Sequence, residues 1–184
     1  MARRSIVGAG TVCAPRYDEE GVMTRNFTRI LVPTDFSAPS HAALTLAKRM
    51  AATSGASLHL LHVLEDSMTT AAATLGVYAP MAELREKWLE GARSLLSTQL
   101  TPEEQASFRS TGVVIFGTPA RTIVEHAKTN GIDLIVMGTH GRGAVEHMLM
   151  GSVAERVVRA ATCPVLTVRD NGTVRAATAM TAVA

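Results

Sequence analysis

The 184-residue chain is short of the residues on which several large functional classes depend. Aromatics are 4% of it, with one Trp, two Tyr and four Phe, and the net charge of +2 is not gathered into any basic tract. A nucleic-acid surface wants a clustered positive face and stacking rings, so no nucleic-acid partner is expected. Only two cysteines occur, Cys13 and Cys163, at neither metal-ligand nor redox-motif spacing, and this fits a reduced, cytoplasmic compartment. The apolar runs are broken by charge well before membrane-spanning length, so no membrane partner is expected either. No Gly-Lys pair occurs anywhere, which excludes a Walker loop. Histidines 41, 59, 62, 126 and 147 form no ligand cluster, because His59 and His62 stand three apart on a strand and face opposite ways. Metal is therefore expected only as an ion arriving with a ligand's phosphates.

What the chain has is apolar residues, 47% of the total, enough for one domain with a sizeable core. Short β-branched runs alternate with helical ones. Strands are expected at 29–33, 57–63, 112–116, 132–137 and 164–169, and helices at 40–54, 80–98, 119–130 and 152–161, with one more helical turn begun by Thr101-Pro-Glu-Glu104. Gly55 and Gly131 suit left-handed helix exits, and Thr118-Pro119 suits a helix start. In the long helix Leu84, Trp88, Ala92 and Leu95 share a face, which reads the single Trp as core. Residues 1–26 read as a flexible N-terminal extension. They have a short, glycine-rich hint of a signal, and a natural domain start lies at Met23. Residues 27–170 read as the domain and 171–184 as a flexible tail rich in Ala and Thr.

Alternating β and α elements imply a three-layer, doubly wound parallel α/β fold, with ligands beyond the carboxyl ends of the strands where strand order reverses. The segment Met137 to Ser152, MGTHGRGAVEHMLMGS, stands at such an end, between the fourth strand and a helix-forming run. Glycines at 138, 141 and 151 leave two and nine residues between them. A glycine-rich turn ahead of a helix N-terminus can direct several amides and the positive end of a helix dipole at one point, where an anion belongs. It is not a dinucleotide fingerprint, since Glu146 stands where the third glycine of Gly141-Arg142-Gly143 would be needed. Ser152-Val-Ala-Glu155 also spells a capping box, which accounts for both residues without a ligand.

The pattern Gly138-Thr139-His140-Gly141, nine residues, Gly151-Ser152 resembles the nucleotide-binding signature of the universal stress protein family. Arg29-Ile-Leu-Val-Pro-Thr-Asp-Phe-Ser37, Leu60-Leu-His-Val63 and Cys163-Pro-Val-Leu-Thr-Val-Arg169 resemble it too, in order, over about residues 27 to 170. The resemblance implies a Rossmann-like, HUP-type five-stranded sheet of order 3-2-1-4-5, bound ATP, and a homodimer through strand 164–169; Mg2+ is an ion that could arrive with the ATP phosphates. Asp35 would then accept hydrogen bonds from the base or ribose, in place of merely capping a turn. Pro33, Thr34 and Val63 would wall the adenine. Met137, Gly138, Thr139, His140, Gly141, Arg142, Gly143, Gly151, Ser152 and Val153 would surround the phosphates, with Arg142 open to a phosphate pair and His140 orienting the loop. Met148, Leu149 and Met150 would anchor that loop to the domain.

Fast phosphoryl transfer lacks its usual lysine, base and metal carboxylate, so slow ATP hydrolysis is the most expected of the site. The function implied is nucleotide-linked change of conformation or partner in a stress response. Two other classes stay open: an interaction module of the same fold without nucleotide, and a nucleotidyl-transfer or flavin enzyme. The enzyme reading lacks a His-x-Gly-His pair or a redox cysteine.

Overall fold

The computed structural model describes residues 27–65, 81–140 and 150–169. In chain order these form β1 (Arg29–Pro33), α1 (Ala38–Ser54), β2 (Ser57–Leu64), α2 (Met81–Ser97), α3 (Pro102–Ser107), β3 (Thr111–Phe116), α4 (Pro119–Thr129), β4 (Leu134–Gly138), α5 (Ser152–Ala160) and β5 (Val165–Val168). All strand pairs are parallel, and the sheet order is β3-β2-β1-β4-β5. This is the doubly wound Rossmann-like arrangement that the alternation and the resemblance imply. β1 is central, and Ile30, Leu31 and Val32 are wholly buried, as an uninterrupted apolar strand must be when helices cover both faces.

Side-chain alternation sorts the core into two layers. On one face Ile30, Val32, Leu58, Leu60, Leu134 and Val136 meet Ala43, Leu44 and Ala47 of α1 and Leu96 of α2. On the other, Leu31, Leu61 and Ile135 meet Ala120, Ile123 and Ala127 of α4 and Ala154 and Val157 of α5. α1 and α2 thus lie on one side of the sheet and α4 and α5 on the other. The chain leaves β1 and β4, which are neighbours, in opposite directions along the sheet, so a crevice opens between their carboxyl ends.

Several boundaries differ from the periodic reading for identifiable reasons. α1 starts two residues early because Pro39 is preset for the first turn. β4 starts two residues late. The Ile132 amide donates to Ala127 O and finishes α4, while the Asp133 carboxylate accepts from Thr28 N at 2.7 Å and from Arg29 N at 3.1 Å, tying the entry of β1. Gly55 and Gly131 have positive φ, as their helix exits require. Thr101 and Glu104 make a full capping box on α3, whereas Thr118 precedes Pro119 without a side-chain cap bond.

Two sequence readings need correction. The helix begun at Ser152 has Gly151, not Ser152, as its N-cap; the Glu155 amide donates to Gly151 O, and the Glu155 carboxylate pairs with Arg159 at 2.8 Å. There is no capping box at this end. On α2 the buried stripe is Ala92 and Leu96, continued by Leu100, while Leu95 is 53% exposed. Leu95 and Leu96 are adjacent, so two stripes of helical spacing compete. Gly112 of β3 decides between them, because the missing side chain leaves room for Leu96.

Candidate nucleotide site

At the carboxyl ends of β1, β2 and β4 the protein has a cleft of about 810 Å³, within the size range of small-molecule sites. Of the residues singled out in the sequence, Pro33, Thr34, Asp35, Val63, Met137, Gly138, Thr139, His140, Gly151, Ser152 and Val153 all line it. Gly141, Arg142 and Gly143 lie outside the described residues, as do Met148 and Leu149. Three segments distant in the chain are therefore brought to one place by strand order alone.

The turn after β1 is held from within. Thr34 is buried, donates its amide to Leu61 O at 2.9 Å and keeps its hydroxyl 3.1 Å from Ser40 Oγ. The Phe36 amide donates to Thr34 Oγ1 at 3.0 Å, and His62 Nδ1 lies 2.7 Å from Thr34 O. One Asp35 oxygen accepts from the amide of Ser37 at 3.1 Å and from its hydroxyl at 2.5 Å. Asp35 thus does cap its turn, and this fixes its carboxylate at the cleft wall. Phe36 is forced to φ +63 and its ring packs 4.5 Å from that of His62. A bulky residue in the left-handed region is uncommon, and the Asp35–Ser37 and Thr34–Phe36 bonds are what hold it there.

The two described glycines of the loop work by close approach. A side chain on Gly138 would stand 2.9 Å from the backbone carbon of Pro39, so only glycine lets the end of β4 pass beneath the start of α1. A side chain on Gly151 would stand 3.1 Å from Thr139 O. The Gly151 amide itself donates to Thr139 O at 2.7 Å, and the Thr139 amide donates to Val168 O at 2.8 Å, which extends the β4–β5 ladder. The two ends of the loop are clasped at Thr139 and Gly151. His140 Nδ1 is 3.0 Å from Thr139 Oγ1, so that ring is oriented by its neighbour. Met150 packs on the second core layer, the part of the expected loop anchor that is described.

Among the described residues, the positive end of the site consequently comes from α5 and not from Gly138 or Gly151. With the Glu155 amide as the first in the helical ladder, the amides of Ser152, Val153 and Ala154 have no carbonyl one turn back to bond, and all three residues line the cleft. The Ser152 side chain is exposed there. Every buried side-chain N and O among the described residues has a partner, so a ligand would be met by these amides, by Ser152 and by the carboxylate of Asp35. That set matches a molecule with an anionic end and a hydrogen-bonding end. No group of three or more His, Cys, Asp or Glu able to hold a metal occurs among the described residues. No described helix is long and apolar enough to cross a membrane.

Sequence reasoning missed part of the cleft. Phe36 and His62, and the α2 residues Lys87, Trp88, Gly91 and Leu95, also line it. For Trp88 the signal was present and misread: an apolar residue on a helix stripe indicates a covered face, not what covers it.

The comparisons with known proteins bear on the family and the fold. Residues 26–169 match the universal stress protein family. Universal stress protein YxiE of Bacillus subtilis is 33% identical over 147 residues, covering 78% of this chain and 99% of the relative. Among solved structures, MJ0577 of Methanocaldococcus jannaschii superposes with a TM-score of 0.69 at 29% identity, covering 79% of this chain and 97% of the other. UspA of Lactobacillus plantarum does so with 0.67 at 30%, covering 79% and 100%. More distant structures sharing the fold are a universal stress protein in complex with cAMP and one from Archaeoglobus fulgidus in complex with dAMP, at 24% and 20% identity and TM-scores of 0.51 and 0.52. With a family match over most of its length and a sheet wound in the order expected of it, this chain belongs to the universal stress protein family.

Proposed function

We propose that the cleft binds ATP, with the adenine and ribose towards Asp35 and Val63 and the phosphates towards the start of α5. The observation that carries this reading is the set of unbonded amides at Ser152, Val153 and Ala154, opening into the same cleft as a fixed carboxylate. The cradle predicted for Gly138 to Ser152 would be completed by Gly141, Arg142 and Gly143. Two distant relatives of the same fold are complexes with cAMP and with dAMP, which supports an adenine nucleotide as the ligand class. Mg2+ would enter with the phosphates. The sequence has no Gly-Lys pair of a Walker loop, so hydrolysis is at most slow, and the action is a ligand-linked change in stability and in the surface offered to a partner during stress.

Ser152→Asp tests the phosphate end. At the first position of α5 a carboxylate favours the helix dipole, by about 0.3–1 kcal/mol, but repels a polyphosphate. The variant should melt at or slightly above the parent temperature and lose the rise in melting temperature that MgATP gives the parent. A parent protein indifferent to MgATP, or a variant that responds as the parent does, would rule the reading out.

A further inference from the structure

The cleft is wider than Asp35, Val63 and the start of α5 account for, because α2 forms its remaining wall. That wall is organised. Trp88 is half-buried and belongs to neither core layer. Gly91, one turn on, has open space where a side chain would stand, and Leu95, the next turn on, is exposed. The inward face of α2 is a different one, held by Ala92 and Leu96 in the core, and the Arg85 guanidinium sits 3.9 Å over the ring of Phe116 on β3. An indole is thus held on a docked helix, facing a cavity it does not fill, with a glycine beside it that keeps the space clear.

We infer that Trp88 is the base-recognising surface of the site, its indole stacking on the purine of the nucleotide whose phosphates meet α5. This rests on the nucleotide reading above. Two observations select a flat heteroaromatic ring as the occupant. The wall is continuous with the anion end within one cleft, so whatever meets Trp88 is joined to the group that meets Ser152. Val63 and Leu64 at the end of β2 add further apolar lining to that cleft, and Asp35 adds a carboxylate. A ring with hydrogen-bonding edges satisfies both. Stacking holds any purine, so Trp88 supplies affinity for the base class, while Asp35 is left to read the edge.

Trp88 is the only tryptophan in the chain, so its emission reports this wall alone. Titration of the full chain with ATP should change that emission, and inorganic tripolyphosphate, bound at the α5 end, should leave it unaltered. Trp88→Leu should weaken ATP by about five- to hundredfold and tripolyphosphate hardly at all, with Trp88→Phe between parent and Leu. Equal ATP affinity in parent and Trp88→Leu, or identical emission responses to ATP and tripolyphosphate, would overturn the inference and leave the ATP reading standing. Failure of the parent to bind ATP by calorimetry would remove both. Should Trp88→Leu not fold, the contrast between the two ligands in the parent decides alone.

Discussion

Gly138 shows how one position can satisfy a signature for a reason the signature does not state. Its place in the Gly-x2-Gly pattern suggests a backbone opened towards phosphate, but the nearest atoms to its absent side chain belong to Pro39. The requirement is packing of β4 under α1. Gly138→Ala should therefore destabilise the fold by about 1–3 kcal/mol in denaturant titration, the usual cost of overpacking against backbone, even with no nucleotide present. A variant as stable as the parent, impaired only in binding, would return the glycine to the phosphate role. Ser152 is the converse case. Read as a helix cap, it proves to lie one residue inside the helix, with its side chain exposed in the cleft. Neither distinction is legible in the sequence, because a cap and a first-turn residue differ by a single step along the chain.

At the scale of elements, α4 is held on the sheet through apolar residues, and a half-buried histidine stands on each partner, His126 on α4 and His59 on β2. Burial lowers the pKa of both below the ordinary 6.5, and for His59 the nearby positive His126 and Arg29 push the same way. A base with a lowered pKa stays neutral in the fold while the unfolded chain takes up protons first. The contribution is complete above pH 6.5 and is lost as pH falls through and below that value. Melting temperature should accordingly decline from about pH 7 to pH 5, and His126→Gln should flatten the decline by removing one titrating group and its repulsion of His59. An unchanged slope would show that these rings do not titrate with unfolding. The Lys48–Glu104 pair between α1 and α3 acts in a separate, more acid window: Lys48 first, then the Thr101 amide, lowers the Glu104 pKa below 4.5, so its support goes only as pH falls under that.

The whole molecule leaves β5 at the edge of the sheet, paired with β4 alone. Val165 and Leu166 are half-exposed, whereas Val168 is buried in the first core layer beside buried Thr167. An apolar parallel edge is a surface that proteins normally cover. A second copy pairing strand to strand through 164–169 is the cover the family resemblance implies and the one we propose. Light scattering of Leu166→Arg should then give half the mass of the parent while far-ultraviolet dichroism stays native-like. An unaltered mass would place any assembly elsewhere.

The order of strands and helices and the three chain segments that meet in the site were determined by the sequence, since period-2 and period-3.6 apolar patterns and turn residues are local signals that need no partner. Asp35, Val63 and the Gly138 to Ser152 segment could be picked out because a doubly wound sheet places every strand end at one edge. Tertiary structure alone decided which face of α2 is buried, that Gly112 admits Leu96 and so turns Leu95 outwards and Trp88 to the cleft, and that Gly151 spends its amide on Thr139. These outcomes depend on atoms from elements far apart in the chain. A local pattern can say that a side chain is apolar, but what stands opposite it is a property of the packed molecule.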